Sequence, residues 1–150
     1  MKTYHYRFEQ VLMFREQEKT ETQVEHKKAV REFENIATKL YELLKKKEEI
    51  SLEQQQKMAI GFSVNEIHHY ARFVDSLEKK VAEVQQQVLQ ARSKMTWYGE
   101  KLLEKTLEVR KFEKMKENDR EHHRTEMEQL EATWLDELAT LKFRGRENGW

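Results

Sequence analysis

The feature of this sequence that most restricts its fold is a heptad pattern running from Ile67 to Phe112. Apolar or aromatic residues recur at alternating spacings of three and four, and Lys105 is the only charged residue in the series. Such sustained spacing is typical of a coiled-coil seam, because it keeps one apolar stripe facing a partner helix as the helix supercoils. We therefore predict an all-α protein. The two sets of seam positions are Ile67, Val74, Val81, Val88, Met95, Leu102 and Val109, and Tyr70, Leu77, Val84, Ala91, Tyr98, Lys105 and Phe112.

Composition favours long helices over a compact domain. The 150 residues include no proline and four glycines, and 37% are charged, against about 25% in ordinary globular domains. The 28 acidic and 28 basic residues balance, which argues against nucleic acid or an anionic membrane as the main partner, since both need a basic surplus. With no cysteine, disulfides and thiolate metal sites are excluded. We find no signal peptide and no membrane-spanning run, and expect a cytoplasmic protein.

The helical pattern is broken sharply at one place. Ser63 and Glu66 fit a capping box, in which the Ser63 hydroxyl bonds the Glu66 amide and Glu66 reaches back to Ser63. Phe62 and Ile67 occupy the positions of a hydrophobic staple, and Gly61 stands where a preceding helix needs a left-handed residue. A connection this short makes the two helices antiparallel neighbours.

These features predict a long antiparallel two-helix coiled-coil hairpin with an overhanging C-terminal helix. Folding the chain about the turn places the start of the first helix opposite about Asp119, so the rest of the second helix has no intramolecular partner. We expect a single elongated domain spanning residues 1–150. Its expected parts are a first helix from about 6 to 60, a turn at 61–62, a second helix from about 63 to 143 and a flexible tail at 144–150.

An apolar stripe returns near the C-terminus, after a polar stretch. Its spacing of 3,4,4,3 is typical of one face of an amphipathic helix. Because the first helix is not expected to reach it, we interpret it as a partner-binding surface. Self-association and folding back onto the first helix are the alternatives. This tail stripe consists of Met127, Leu130, Trp134, Leu138 and Leu141.

The sequence shows no pattern for catalysis or metal binding. The histidine pairs at 68–69 and 122–123 are adjacent, and neighbouring helical residues point about 100° apart. Two ligands on one helix face need a spacing of three or four. No glycine-rich phosphate loop, nucleophile motif or Cys–His pair is present. We therefore expect no enzymatic activity, no cofactor, no metal and no small-molecule substrate.

Three stretches of the chain resemble a known family. They are residues 6–16, which begin Tyr-Arg-Phe, residues 63–78, which include the turn cap and Phe73, and residues 109–115, which read VRKFEKM. Together they resemble the flagellar export protein FliJ, particularly its Bacillus-like members, over most of the chain. In the tail from Asp119 onward we recognise no motif of that family.

The resemblance implies a non-enzymatic part of the flagellar type III export apparatus. FliJ proteins are antiparallel two-helix coiled coils, similar to the central stalk of rotary ATPases, and are understood to promote ring assembly and activity of the hexameric export ATPase FliI. They also contact the export gate protein FlhA and escort export chaperones. This implies a cytoplasmic protein that is peripheral at the membrane through protein contacts only. The family's gate-contact residues would fall on Phe73 and Leu77, beside Tyr70.

Two alternatives from other functional classes stay open. A generic coiled-coil scaffold, such as a parallel dimer, suits the β-branched residues Val74, Val81 and Val88, but it has no use for the turn at Gly61. An export-substrate chaperone would hold one substrate on the tail stripe. Phe73, on the flank of the seam, also fits a widened core stripe.

Overall fold

The computed structural model describes residues 4–147 and contains two α-helices joined by one turn. The first helix, α1, spans Glu9–Ile60, and the second, α2, spans Val64–Glu147. The described part has no strand, and the helices pack against each other as a hairpin, which confirms the predicted all-α fold. No proline interrupts either helix; a proline would remove an amide donor and clash with the preceding turn.

The ends of the helices differ from those expected from the sequence. Residues 4–8 form a non-helical segment and a turn before α1, in which the Glu9 amide donates to the Tyr6 carbonyl oxygen at 3.2 Å. At the other end, α2 continues to Glu147, beyond the expected end at 143. Residues 148–150 of the expected tail lie outside the described residues, and the single elongated domain stays a prediction. No helix within residues 4–147 is long and apolar enough to cross a membrane.

The turn between the helices is built by Gly61 and Ser63. Gly61 has a φ of +122°, which L side chains rarely adopt, and its amide donates to the Lys57 carbonyl oxygen at 2.9 Å. Ser63 caps α2, since its hydroxyl accepts a hydrogen bond from the Glu66 amide at 3.2 Å. These two residues end one helix and begin the next within three positions.

Residues 20–104 form one compact unit, in which α1 and α2 bury the seam between them. Two ion pairs flank the seam in the register that the short turn predicts: Lys94 with Glu32 at 3.2 Å, and Lys47 with Glu78 at 3.4 Å. Exposed pairs of this kind contribute at most about 1 kcal/mol each, so apolar burial, at about 25 cal/mol per Å², contributes more of the stability. The buried side chains are Ala29, Leu77, Val81, Val84 and Ala91.

Residues 4–19 and 105–147 belong to a second compact unit, and its core lies at the start of α1. Tyr6, Leu12 and Val109 are buried together, with Tyr4 and Phe112 packed against them. The Tyr6 hydroxyl donates to the Phe112 carbonyl oxygen at 3.2 Å, and the Tyr4 hydroxyl donates to Asp119 Oδ2 at 2.8 Å. Desolvation and the hydrogen bond to Asp119 raise the pKa of Tyr4 to about 12.

Lys105, the charged residue of the seam, lies in a cluster of ion pairs within this second unit. Its Nζ is 3.2 Å from Glu18 Oε2, which Arg15 Nη1 also contacts at 3.1 Å. The hydrogen bonds from Lys105 and Arg15 lower the pKa of the Glu18 carboxyl. A charge at a seam position stabilises less than an apolar residue, but it specifies register, because a slipped pairing would leave the charge without its partner.

We expect the same substitution to have opposite effects at two glycines. Gly61→Ala should destabilise the fold by roughly 1 kcal/mol, because alanine is strained at positive φ. Gly99→Ala, inside α2, should stabilise it by up to about 1 kcal/mol, because glycine has the larger conformational entropy when unfolded. The new methyl group at Gly99 would meet only the tip of the His26 ring, at 3.4 Å. Denaturant unfolding followed by circular dichroism measures both effects. If Gly61→Ala did not lower the stability, the assigned turn would be contradicted.

The ion-pair cluster also predicts a specific pH dependence. Because the pKa of Glu18 is lowered on folding from its usual 4.5, its carboxylate contributes stability above that pH, and the contribution is lost as pH falls through the folded pKa. Lys105→Met should raise the Glu18 pKa, as measured by NMR titration. The control Lys101→Met should leave it unchanged, since Lys101 contacts Glu104 at 3.4 Å instead. Equal Glu18 pKa values in both variants would show that Lys105 does not hold the carboxylate.

Candidate partner-binding surfaces

The surface near the turn centres on Phe73, which projects from α2 beside the seam. Its side chain is 40% exposed, and Nζ of Lys46 on α1 lies 5.5 Å from the ring centroid. A cation at this distance from an aromatic face is attracted by the quadrupole of the ring. Phe73 is therefore held in place by α1 while much of its ring stays available at the surface.

Tyr70 lies one turn before Phe73 and is oriented by three neighbours. Its hydroxyl donates to Glu53 Oε1 at 3.0 Å, and Phe62 packs edge-on against its ring with 5.3 Å between centroids. Lys57 Nζ lies 5.2 Å from the same ring. Tyr70 is half-buried by these contacts, so it joins the turn to α1 and shapes the surface next to Phe73.

Leu77 does not belong to this surface. Its side chain is only 7% exposed and forms part of the buried core of residues 20–104. A partner could reach it only by separating α1 from α2. The direct contact that the resemblance implied for Leu77 does not fit this burial, and its packing instead fixes the turn of α2 that carries Phe73.

A shallow depression beside Phe73 was missed by the sequence reasoning. It forms because the turn brings the end of α1 next to the start of α2, so its lining comes from two separate stretches of the chain. The residues that line it are Ile50, Glu53, Lys57, Asn65, Glu66, His69, Tyr70 and Phe73. The antiparallel register could have indicated it, since residues equally far from the turn become neighbours. Its mixture of aromatic and charged side chains suits an amphipathic protein partner.

The unit of residues 4–19 and 105–147 exposes apolar side chains that the sequence analysis did not identify. Met13, Phe14 and Leu107 are each more than half exposed. Leu12 takes the inward position in α1, so the next two residues point away from the core. Together with the exposed bases Arg110 and Lys114, these side chains form a mixed apolar and charged surface.

The tail stripe lies further along α2 in the same unit. Tyr4, the first described residue, contacts α2 through Asp119 and through His123, whose ring centroid is 5.2 Å away. Beyond these contacts the stripe is largely uncovered: Met127 is half-buried, and Leu130, Trp134, Leu138 and Leu141 are exposed.

The histidines at 122 and 123 contact different neighbours rather than sharing one site. His122 Nε2 is 3.1 Å from Glu126 Oε1 on its own helix, and His123 packs on Tyr4. Within residues 4–147, no three potential metal-ligating side chains come together.

Comparison with known proteins places this hairpin in a family. A family model described as "Flagellar FliJ protein" matches residues 4–148. The Flagellar FliJ protein of Bacillus subtilis (strain 168) is 36% identical over 140 residues, which cover 93% of this chain and 95% of that protein. No solved structure matches the chain. Because the family model matches nearly the whole chain, including the tail in which the sequence shows no recognisable motif, the chain belongs to the flagellar FliJ family.

Proposed function

We propose that this chain is a non-enzymatic, stalk-like component of the flagellar type III protein export apparatus. Membership of the flagellar FliJ family supports a role in flagellar protein export. In this proposal the hairpin promotes assembly and activity of a FliI-like hexameric export ATPase and couples it to an FlhA-like export gate and to export chaperones. The observation that carries the proposal is the exposed ring of Phe73 on a helix whose neighbouring seam is buried.

The export gate binds, in this proposal, at Phe73 and the adjacent depression. Aromatic anchors surrounded by a polar rim supply most of the binding energy in many interfaces. Phe73 provides the anchor, Tyr70 shapes the depression, and Lys57 and Glu53 supply charges of both signs at its rim. Leu77 contributes only by holding this part of α2 against α1.

The ATPase binds the unit of residues 4–19 and 105–147. Its surface combines exposed Met13, Phe14 and Leu107 with the exposed bases Arg110 and Lys114. A ligand shifts a conformational equilibrium only by its differential affinity for the states. The hairpin therefore activates the ATPase by fitting one arrangement of the ring subunits better than the others.

In this proposal one molecule serves both partners, since the gate and the ATPase each bind a different unit of the chain. The turn at Gly61 disfavours the generic scaffold, because a parallel dimer would have no use for it. We place the protein in the cytoplasm, held at the membrane only through its protein partners.

An export-substrate chaperone is the second candidate function, and the exposed tail stripe is the observation that favours it.

Replacing the Phe73 ring should weaken binding to the export gate without changing stimulation of the export ATPase. Phe73→Ala should weaken binding to the cytoplasmic domain of the same organism's export gate protein by about tenfold or more, because it removes the anchor. It should leave stimulation of the export ATPase unchanged. Isothermal titration calorimetry and an ATP hydrolysis assay measure the two effects. Leu89→Ala is the matched control, since Leu89 is an exposed apolar residue elsewhere on α2; equal loss of gate binding in both variants would remove Phe73 from the proposed contact.

Charge reversal should affect the ATPase and spare the gate. Arg110→Glu combined with Lys114→Glu should reduce the maximal stimulation of ATP hydrolysis several-fold, because both side chains are exposed on the proposed ATPase-binding surface. Lys79→Glu with Lys80→Glu makes the same charge change on exposed residues nearer the turn, and should leave stimulation intact. Undiminished stimulation by the first variant would rule out the proposed role of this surface.

A further inference from the structure

The tail stripe has an internal symmetry that the proposed function does not use. Its spacing of 3,4,4,3 reads the same from either end, with Trp134 at the centre. Met127 and Leu141 each lie seven residues from Trp134, and Leu130 and Leu138 each lie four residues from it. A surface with this property can pair with a copy of itself that runs in the opposite direction, because a two-fold interface is self-complementary.

The structure presents these side chains as one narrow face. At 100° per residue, all five lie within about 40° of Trp134 around the helix, which is the width that one partner helix covers. Trp134 is exposed, and so are Leu130 and Leu138, which lie four residues before and after it. Because α2 continues to Glu147, the whole stripe lies on uninterrupted helix.

Charges at the two ends of the stripe favour the antiparallel orientation. Glu126 and Glu128 flank its start, and Lys142 and Arg144 flank its end. In an antiparallel pair centred on Trp134, helical geometry brings Glu128 to the same flank and nearly the same height as Lys142 of the second copy. Glu126 lies in the same way beside Arg144 of the second copy. A parallel pair would instead bring equal charges together at both ends.

We infer that the tail stripe is a homodimerisation surface whose occupant is the same stripe of a second copy, in antiparallel orientation. The two Trp134 rings meet at the two-fold axis, Met127 packs near Leu141 of the second copy, and Leu130 packs near Leu138 of the second copy. Two stripes of this length form an interface below about 1,200 Å², the size of a weak or transient contact, so the dissociation constant should be micromolar. The inference does not rest on the proposed function, because it uses only the residues of the tail.

Cysteine cross-linking tests both the pairing and its direction, and the natural chain has no cysteine to interfere. Met127→Cys and Leu141→Cys should form a mixed disulfide when the two full-length variants are combined in a glutathione redox buffer. Neither should cross-link with itself, since equal residues would be about 21 Å apart along the helices, beyond the reach of a disulfide. Mass spectrometry distinguishes the products. A disulfide between two copies of Met127→Cys would overturn the proposal. So would a yield of mixed disulfide no higher than that of a Phe143→Cys control, whose cysteine lies on the opposite helix face.

Sedimentation equilibrium provides an independent test on the unmodified protein. The chain should pass from monomer to dimer as its concentration rises to roughly 200 µM. Trp134→Ala should raise the dissociation constant at least about tenfold, while Phe143→Ala, also exposed but on the opposite face, should not change it. Circular dichroism of both variants checks that the helix is retained. A wild-type monomer throughout this range would overturn the proposal and leave the stripe to a different protein.

Discussion

The burial of the α2 seam against α1 is the interaction on which the rest of the structure depends. Gly61 and Ser63 fix where one helix ends and the next begins, and the seam residues Val81 and Val84 then have only one antiparallel register in which to be buried. In that register Lys46 lies over Phe73, and Tyr70 bonds to Glu53. The candidate gate surface is thus a consequence of the seam rather than a separately folded element.

Polar contacts refine this pairing without supplying most of its stability. The pair of Lys105 with Glu18 occupies a position where an apolar residue would stabilise the coiled coil more. The two charges meet in the register that the turn sets, and a slipped register would separate them. The Tyr4 hydroxyl also donates a hydrogen bond to Asp119 on α2. These contacts extend the pairing of the chain past the start of α1 at Glu9.

Much of the fold could be predicted from the sequence because heptads and helix caps are local patterns. The turn cap at Ser63 and the hairpin follow from residues close together in the chain. The exposure of individual side chains could not be predicted in this way. Leu77 is buried although the family resemblance suggested a contact, and Met13 and Phe14 are exposed because Leu12 already fills the core. Exposure depends on which residue of the other helix lies opposite, and short sequence motifs do not contain that information.

The three surfaces differ in how their occupants would be recognised. Phe73 offers one aromatic anchor, the unit of residues 4–19 and 105–147 offers apolar and basic side chains together, and the tail stripe offers a symmetric apolar face. A micromolar self-association would cover the tail stripe in the free protein and would still permit exchange with another partner. The proposed stalk function uses the first two of these surfaces, one for the gate and one for the ATPase.

The most direct test of that function is cryo-electron microscopy of the same organism's export ATPase hexamer assembled with this protein and ATP. We expect two antiparallel helices in the central channel of the ring, with residues 4–19 and 105–115 nearest the ATPase subunits. Density for the hairpin on the outer face of the ring, or an empty channel at saturating concentrations of this protein, would contradict the account.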